Sequence, residues 1–368
     1  MEEQRSMSNE AFRADDQLST SCASIPGRSA DERMAFLDAI KATGIVMVVA
    51  VHVLSRVQLA PAMQEGLLFL VGAVAVPLFL VSDGFLFAHQ WAGKDNFLYG
   101  AYIRKSVRRL LLPWAAFSML YLLMRFAIEL KGLVQETIVL GKSLSGLATV
   151  FYYSELSHHM YFLLSLFLVR LGTVAVKPML RHSGGVWFGL TLSYIALYVS
   201  SNPKRWFSPG ADPVLLAMWG MQFYLLGVVL RKWHERIKPT AGWVGLTGLG
   251  LATLGWSVLP PASSFLVQLV YLVGIYGALL KITAVTSWKF TMGYDTMGMY
   301  LLHAPYVVWI VVAVLSSLVP TNHLGVVVVA SIATAAISWG ISRVLGKYSA
   351  GRLLLGHVPL QEPRLSHG

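Results

Sequence analysis

The chain is short of charge and almost without cysteine. Only 13% of its 368 residues are Asp, Glu, Lys or Arg, about half the share of a soluble domain, too few to clothe a globular surface. Its single cysteine, Cys22, lies in a polar N-terminal stretch, which excludes a disulfide framework and a cysteine-held metal site. Also missing are a Gly-Lys-Ser/Thr phosphate loop, a histidine pair at metalloprotease spacing and a Gly-x-Ser-x-Gly elbow. Acidic residues number 18 against 29 basic ones, a net charge of +11. In so apolar a chain that excess reads as Lys and Arg retained in loops on one side of a membrane, so nucleic acid is not an expected partner.

What is abundant is hydrocarbon: 56% of residues are apolar and the mean hydropathy is +0.61. Runs of about twenty such residues, long enough to cross roughly 30 Å of lipid as helix, recur at Phe36–Val57, Gly66–His89, Leu110–Leu130, Met160–Leu180 and Val186–Ser201. Five more follow at Pro213–Leu230, Trp243–Leu259, Phe265–Ile282, Thr296–Leu318 and Leu324–Leu345. The expectation is an all-α integral membrane protein of about ten transmembrane helices in one domain, residues 34–348. Continuous rather than alternating apolar runs exclude a closed barrel. Val134–Val150, interrupted by Glu136 and Lys142, reads as an amphipathic or re-entrant piece. "GLTGLGLATLG", Gly245 to Gly255, reads as a close helix contact.

With the N-terminus inside, the inner loops collect Lys94, Arg104, Lys105, Arg108, Arg109, Lys177, Arg181, Arg231, Lys232, Arg236, Lys238, Lys281 and Lys289. That asymmetry places both termini in the cytoplasm. Met1 to Arg33, mixed polar and without a signal-like apolar core, reads as a disordered cytoplasmic tail, and residues 349–368 as a second one. Neither tail is long enough for a soluble domain, and no internal repeat is visible.

The first run carries three groups that a bilayer penalises: Asp38, Lys41 and His52. Eleven residues at about 100° each return to within roughly 20° of the starting direction, so Lys41 and His52 share one helix face, about 16 Å apart along the axis. Asp38 lies near the same stripe, but about 21 Å from His52 it cannot orient that ring. Such groups face a protein interior or a watery path. The plain alternative is an interfacial Asp38–Lys41 pair and a His52 that hydrogen-bonds a neighbouring helix.

"FLDAIKATGIVMVVAVHVL", Phe36 to Leu54, with a basic residue, ten positions and a histidine, resembles the first helix of the acyltransferase 3 family of membrane acyltransferases. Four further stretches are similar to that family in the same order: "AVPLFLVSDGFLF" from Ala75, "YIRKSVRRLLLPW" from Tyr102, "SHHMYFLLSLFLVR" from Ser157 and "MGMYLLHAPY" from Met297. The chain departs from the family's habit at Asp83, which intervenes in "SDGF", and at Tyr161, where tryptophan is usual. Within the family it looks most like the surface-polysaccharide O-acetyltransferases, including the enterobacterial common antigen type.

The resemblance implies transfer of an acyl group, commonly acetyl, from cytoplasmic acyl-CoA to a hydroxyl of an extracytoplasmic or lipid-linked glycan, in the bacterial cytoplasmic membrane and without a metal. His52 is the expected base, since histidine can hold a proton near neutral pH; an acyl-histidine intermediate is the other route. Lys41 and Asp38 complete the expected catalytic set. Lys41, Arg104, Arg108 and Arg109 are expected to bind acetyl-CoA phosphates, and Lys41 can alternatively pair with Asp83. His158, His159, Tyr161, Tyr300, His303 and Asp83 are expected to line the substrate site, with His303 near a kink at Pro305. The competing reading is a proton-coupled transporter or flippase for a lipid-linked sugar or small anion, with His52, Lys41 and Asp83 as a relay. Oligomeric state is not legible.

Overall fold

A computed structural model describes residues 34–91, 97–134, 136–174, 212–258, 264–286 and 295–356, with isolated positions at 177, 185 and 189. All of the regular structure among them is helical. In chain order the helices are α1 (Ala35–Leu54), α2 (Pro61–Trp91), α3 (Tyr99–Leu130), α4 (Leu144–Tyr152), α5 (His158–Leu171) and α6 (Pro213–Ile237). There follow α7 (Ala241–Val258), α8 (Ser264–Val285), α9 (Thr296–Leu318), α10 (Leu324–Leu345) and α11 (Ser349–Leu354).

Seven helical stretches among the described residues are long and apolar enough to cross a membrane, and α5 is a shorter apolar helix. That count differs from the ten expected spans for identifiable reasons. Pro213–Trp256 is one stretch of 44 residues but holds both α6 and α7, which a 3-10 turn at Lys238–Thr240 joins. The fifth expected span, Val186–Ser201, lies outside the described residues apart from position 189, as do the expected tail 1–33 and positions 357–368. Among its described residues the segment read as amphipathic or re-entrant holds turns and the start of the nine-residue α4, too short to span.

Three helices are interrupted or packed in ways that place the site. In α3, Pro113 has no amide to give the Arg109 carbonyl, and the helix widens just before it over Val107–Leu111, where the Leu112 amide reaches back five residues to Val107. In α9, Pro305 leaves the Leu301 carbonyl without its amide, and Ala304 leaves helical geometry (φ −128°, ψ 154°). The expected kink beside His303 is therefore present. The start of α9 is tied to the end of α10 by Asp295, which accepts from Arg343 at 2.7 Å and from the Trp339 indole at 3.1 Å.

A valine-rich cluster joins the end of α1 (Val49, Val53, Leu54) to the second half of α9 (Val308, Val311, Val312) and the start of α10. It fixes the end of α1 that carries His52 against α9. Glycines set the other close crossings. A Cβ on Gly84 of α2 would lie 1.9 Å from the Tyr224 carbonyl oxygen of α6, and one on Gly227 would lie 2.1 Å from that of Val81. The glycine series of α7 does pack helix on helix, Gly245 against Ala278 and Gly248 against Gly274 of α8.

Gly84→Ala is expected to force α2 and α6 apart at a backbone-to-backbone contact. It should cost ~1–3 kcal/mol or more and lower the thermal midpoint of the purified protein in detergent. Gly250→Ala, at a position with nothing within 4 Å of a new Cβ, should leave the midpoint unchanged or slightly raised.

Candidate active site

Three histidines from three helices meet. The ring centroids of His52 (α1) and His303 (α9) are 5.0 Å apart, those of His159 (α5) and His303 4.8 Å, and those of His52 and His159 5.8 Å. His303 is 0% exposed and His159 4%, whereas His52 is half-buried. Each has a separate reason to be there: His52 ends the face of α1 that the valine cluster seats, His159 opens α5, and His303 sits at the break in α9.

Hydrogen bonding orients the rings. His303 Nδ1 meets only carbonyl oxygens, those of Tyr300 at 2.8 Å and Met299 at 3.2 Å. Carbonyls cannot donate, so Nδ1 carries the hydrogen and Nε2 keeps its lone pair. That Nε2 is buried and has no protein partner. His159 pairs Nδ1 with the Ser157 hydroxyl at 2.8 Å, and its buried Nε2 has no hydrogen bond of ordinary geometry, the Leu301 carbonyl being the backbone group that acts on the ring. Buried polar atoms in native proteins nearly always find a partner, so two orphaned ring nitrogens in one cluster mark a place where a substrate group or water can bond. Among the described residues no set of three or more His, Cys, Asp or Glu is arranged to hold a metal ion.

Tyrosines frame the cluster. Tyr300 donates its hydroxyl to the His159 carbonyl and stacks edge-on to His159, centroids 5.3 Å apart. Tyr121 of α3 donates to the Leu301 carbonyl at 2.5 Å, with the Ala304 carbonyl at 3.0 Å. It thereby serves the oxygen that Pro305 leaves open.

Beside the cluster lies a cavity of about 160 Å³ whose wall includes Tyr300, Thr296, Ser82, Lys41, Asp83, Arg109 and Arg170, set among apolar side chains such as Phe79, Phe162 and Leu355. Tyr300 belongs to both, so cavity and histidines are neighbours through one ring. Asp83 accepts from Arg170 twice, Oδ2 from Nε at 2.8 Å and Oδ1 from Nη2 at 2.5 Å. Lys41 lies 3.8 Å from Asp38 and lines the cavity; Asp38 is not among the lining residues.

The structure thus brings together His52, His159, His303 and Tyr300 in one place, and Lys41, Asp83 and Arg109 in the adjoining one. It does not bring in Arg104 and Arg108, which are exposed on α3 and do not line the cavity. His158 is exposed beside the cluster, close enough, with Arg56, to act electrostatically on His52. Tyr161 packs with Trp219 against Leu216 of α6. Sequence reasoning missed Arg170 and Tyr121. Arg170 had a signal, being a cation within an expected span; Tyr121 had none, because its role depends on an oxygen 180 positions away.

No carboxylate among the described residues hydrogen-bonds the His52 ring. Two acids are committed elsewhere. Glu129 accepts from Arg125 at 2.6 Å and from the amides of Ile138, Val139 and Leu140, holding the loop before α4. Asp212 caps the Val214 amide at the start of α6 and accepts from the Tyr152 hydroxyl at 3.1 Å.

Comparison with known families gives a match to an acyltransferase domain, the acyltransferase 3 type, over residues 34–343. The chain belongs to the acyltransferase 3 family. Neither the curated proteins nor the solved structures compared with it gave a match. Family and apolar helices together make it a multi-pass membrane acyltransferase. All of the histidines and cavity cations described above fall inside the matched segment, whereas α11 and the cavity residues Leu355 and Gly356 lie beyond it.

Tyr121→Phe keeps the ring and removes only the hydroxyl. With no water in the hydrocarbon to replace it, the Leu301 carbonyl should stay unserved at a cost of ~1–3 kcal/mol. A thermal melt of the purified acyltransferase in detergent should show the lowered midpoint. An unchanged midpoint would mean that the carbonyl finds another donor.

Proposed function

We propose that this acyltransferase moves an acyl group, acetyl by the commonest chemistry of its family, from acyl-CoA on the cytoplasmic side to a hydroxyl of a glycan or lipid-linked sugar on the other side of a bacterial inner membrane. The observation that carries the reading is the adjacency of a cation-lined cavity and a trio of histidines, two with free buried ring nitrogens. An acyl donor bearing phosphates suits the first, and a hydroxyl that must lose a proton suits the second. On this reading the end where α1 begins is cytoplasmic, as is α11.

The half-buried His52 is the base. The acceptor oxygen attacks the thioester carbon, a C–O bond forms as the C–S bond breaks, and the hydroxyl proton passes to His52 and from there to the departing thiolate. His159 and His303 bind and orient the acceptor through their free nitrogens, and Tyr300 fixes His159 by holding its backbone. Exposed His158 lies where the acceptor arrives. Lys41 and Arg109 attract the donor's phosphates. The ordered constellation and the family membership support transfer over a proton-coupled transport role.

The test is ester-linked acyl on surface glycans, read by mass spectrometry in a null strain carrying wild type, His52→Ala or Lys41→Met, with membrane levels of each protein checked. Wild type should restore acylation. His52→Ala should reduce it by about 10²–10⁴-fold, the share a positioned base contributes. Lys41→Met should raise the donor KM more than it lowers kcat. Normal acylation by His52→Ala would remove the base assignment, and a wild type that acylates no glycan would remove the acceptor class.

A further inference from the structure

Arg170 is the largest feature of the cavity that the mechanism above leaves unused. It lies inside an apolar helix, its side chain only 15% exposed and that of Asp83 14%. A buried ion pair is a weak device for stability alone, since apolar side chains of similar volume commonly serve as well, and an ionisable group in a span is by default functional. We propose that Arg170 binds the diphosphate of the acyl donor, and that Asp83 is the positioning residue that aims its guanidinium. This deepens the acyl-CoA reading and rests on it.

A guanidinium has five N–H groups. Nε and Nη2 each give one to Asp83, and Nη1 gives one to the Ser106 hydroxyl at 3.3 Å. Two N–H groups remain, on a fork that Asp83 grips from one side and the Tyr102 ring approaches at 6.0 Å, while the residue itself lines the cavity. A held fork with unspent donors is the arrangement that recognises phosphate oxygens in a fixed direction.

Helix register points the same way. Arg170 follows His159 by eleven positions on α5, as Lys41 precedes His52 by eleven on α1. The histidines touch, and both cations line the one cavity, so two walls each place a cation about 16 Å along the helix from an imidazole. The pantetheine arm between diphosphate and sulfur has about thirteen bonds and spans roughly 15 Å when extended at the per-bond advance of an extended chain. A donor with its thioester at the histidines therefore has its diphosphate at the level of Lys41, Arg109 and Arg170. There cations outnumber the one lining carboxylate three to one, which suits a dianionic group.

The experiment measures binding of coenzyme A and of pantetheine, which lacks the diphosphate, to the full-length protein in nanodiscs by calorimetry. The variant Asp83→Leu with Arg170→Met removes both charges and leaves neither unpaired, and Arg170→Lys keeps the charge but loses the fork. Expected are at least tenfold weaker coenzyme A binding by the double variant, about three- to tenfold weaker binding by Arg170→Lys, and unchanged pantetheine binding by both. Coenzyme A binding equal to wild type in either folded variant overturns the proposal. An equal loss for pantetheine also overturns it, since Arg170 would then act on the shape of the cavity. If wild type binds coenzyme A but the variants do not discriminate, only this inference fails; if wild type binds neither ligand, the acyl-CoA reading fails with it.

Discussion

The hydroxyl of Tyr121 on the carbonyl of Leu301 is the contact that allows α9 to break inside the bundle. Proline at 305 removes the amide which that carbonyl would otherwise accept, and hydrocarbon offers no water in its place. A donor from another helix makes the interruption tolerable, and α3 supplies it. The break in turn gives His303 a place where its ring can cap the Tyr300 carbonyl and lie beside the rings of His52 and His159. Remove the donor, and the position of the central imidazole loses its reason.

The same rule, that a polar group within apolar surroundings must be satisfied by protein, sorts the charged residues into two kinds. Glu129 is used up: one arginine and three loop amides occupy its oxygens, so it secures the segment before α4 and has nothing left for chemistry. Asp83 and Arg170 are paired but not exhausted, and they face a cavity rather than a loop. Counting spent and unspent donors separates structural charges from candidate ligand groups where burial alone does not.

How much of this could be read in the sequence follows from which signals are local. The helices of the bundle come from apolar runs that need no partner to be recognised, and the stripe of Lys41 and His52 follows from helical periodicity within one segment. The break at Pro305 is local too. The pairing of Asp83 with Arg170 and the service of Leu301 by Tyr121 are not, because each joins residues 87 and 180 positions apart, and no periodicity within one helix encodes which neighbour arrives. Among the basic residues of "YIRKSVRRLLLPW", Arg109 lines the cavity while Arg104 and Arg108 do not. The widened turn at Val107–Leu111, which alters the facing of that stretch, breaks the 3.6-residue count that a sequence reading must assume.

A trio of imidazoles without a carboxylate is suited to the proposed reaction for a reason of proton balance. Acyl transfer from a thioester to a hydroxyl yields an ester and a thiol, so the proton lost by the acceptor is regained by the leaving group and none is consumed. The base needs only to borrow it. A carboxylate beside the ring would favour the charged form and retain the proton. The neighbours of His52 at about 5 to 6 Å are instead the rings of His303 and His159, which bring no fixed negative charge to hold the proton back from the sulfur. That no carboxylate among the described residues hydrogen-bonds His52 is thus a feature the chemistry can use, and two acids of other helix ends, Glu129 and Asp212, are held to other tasks by the fold.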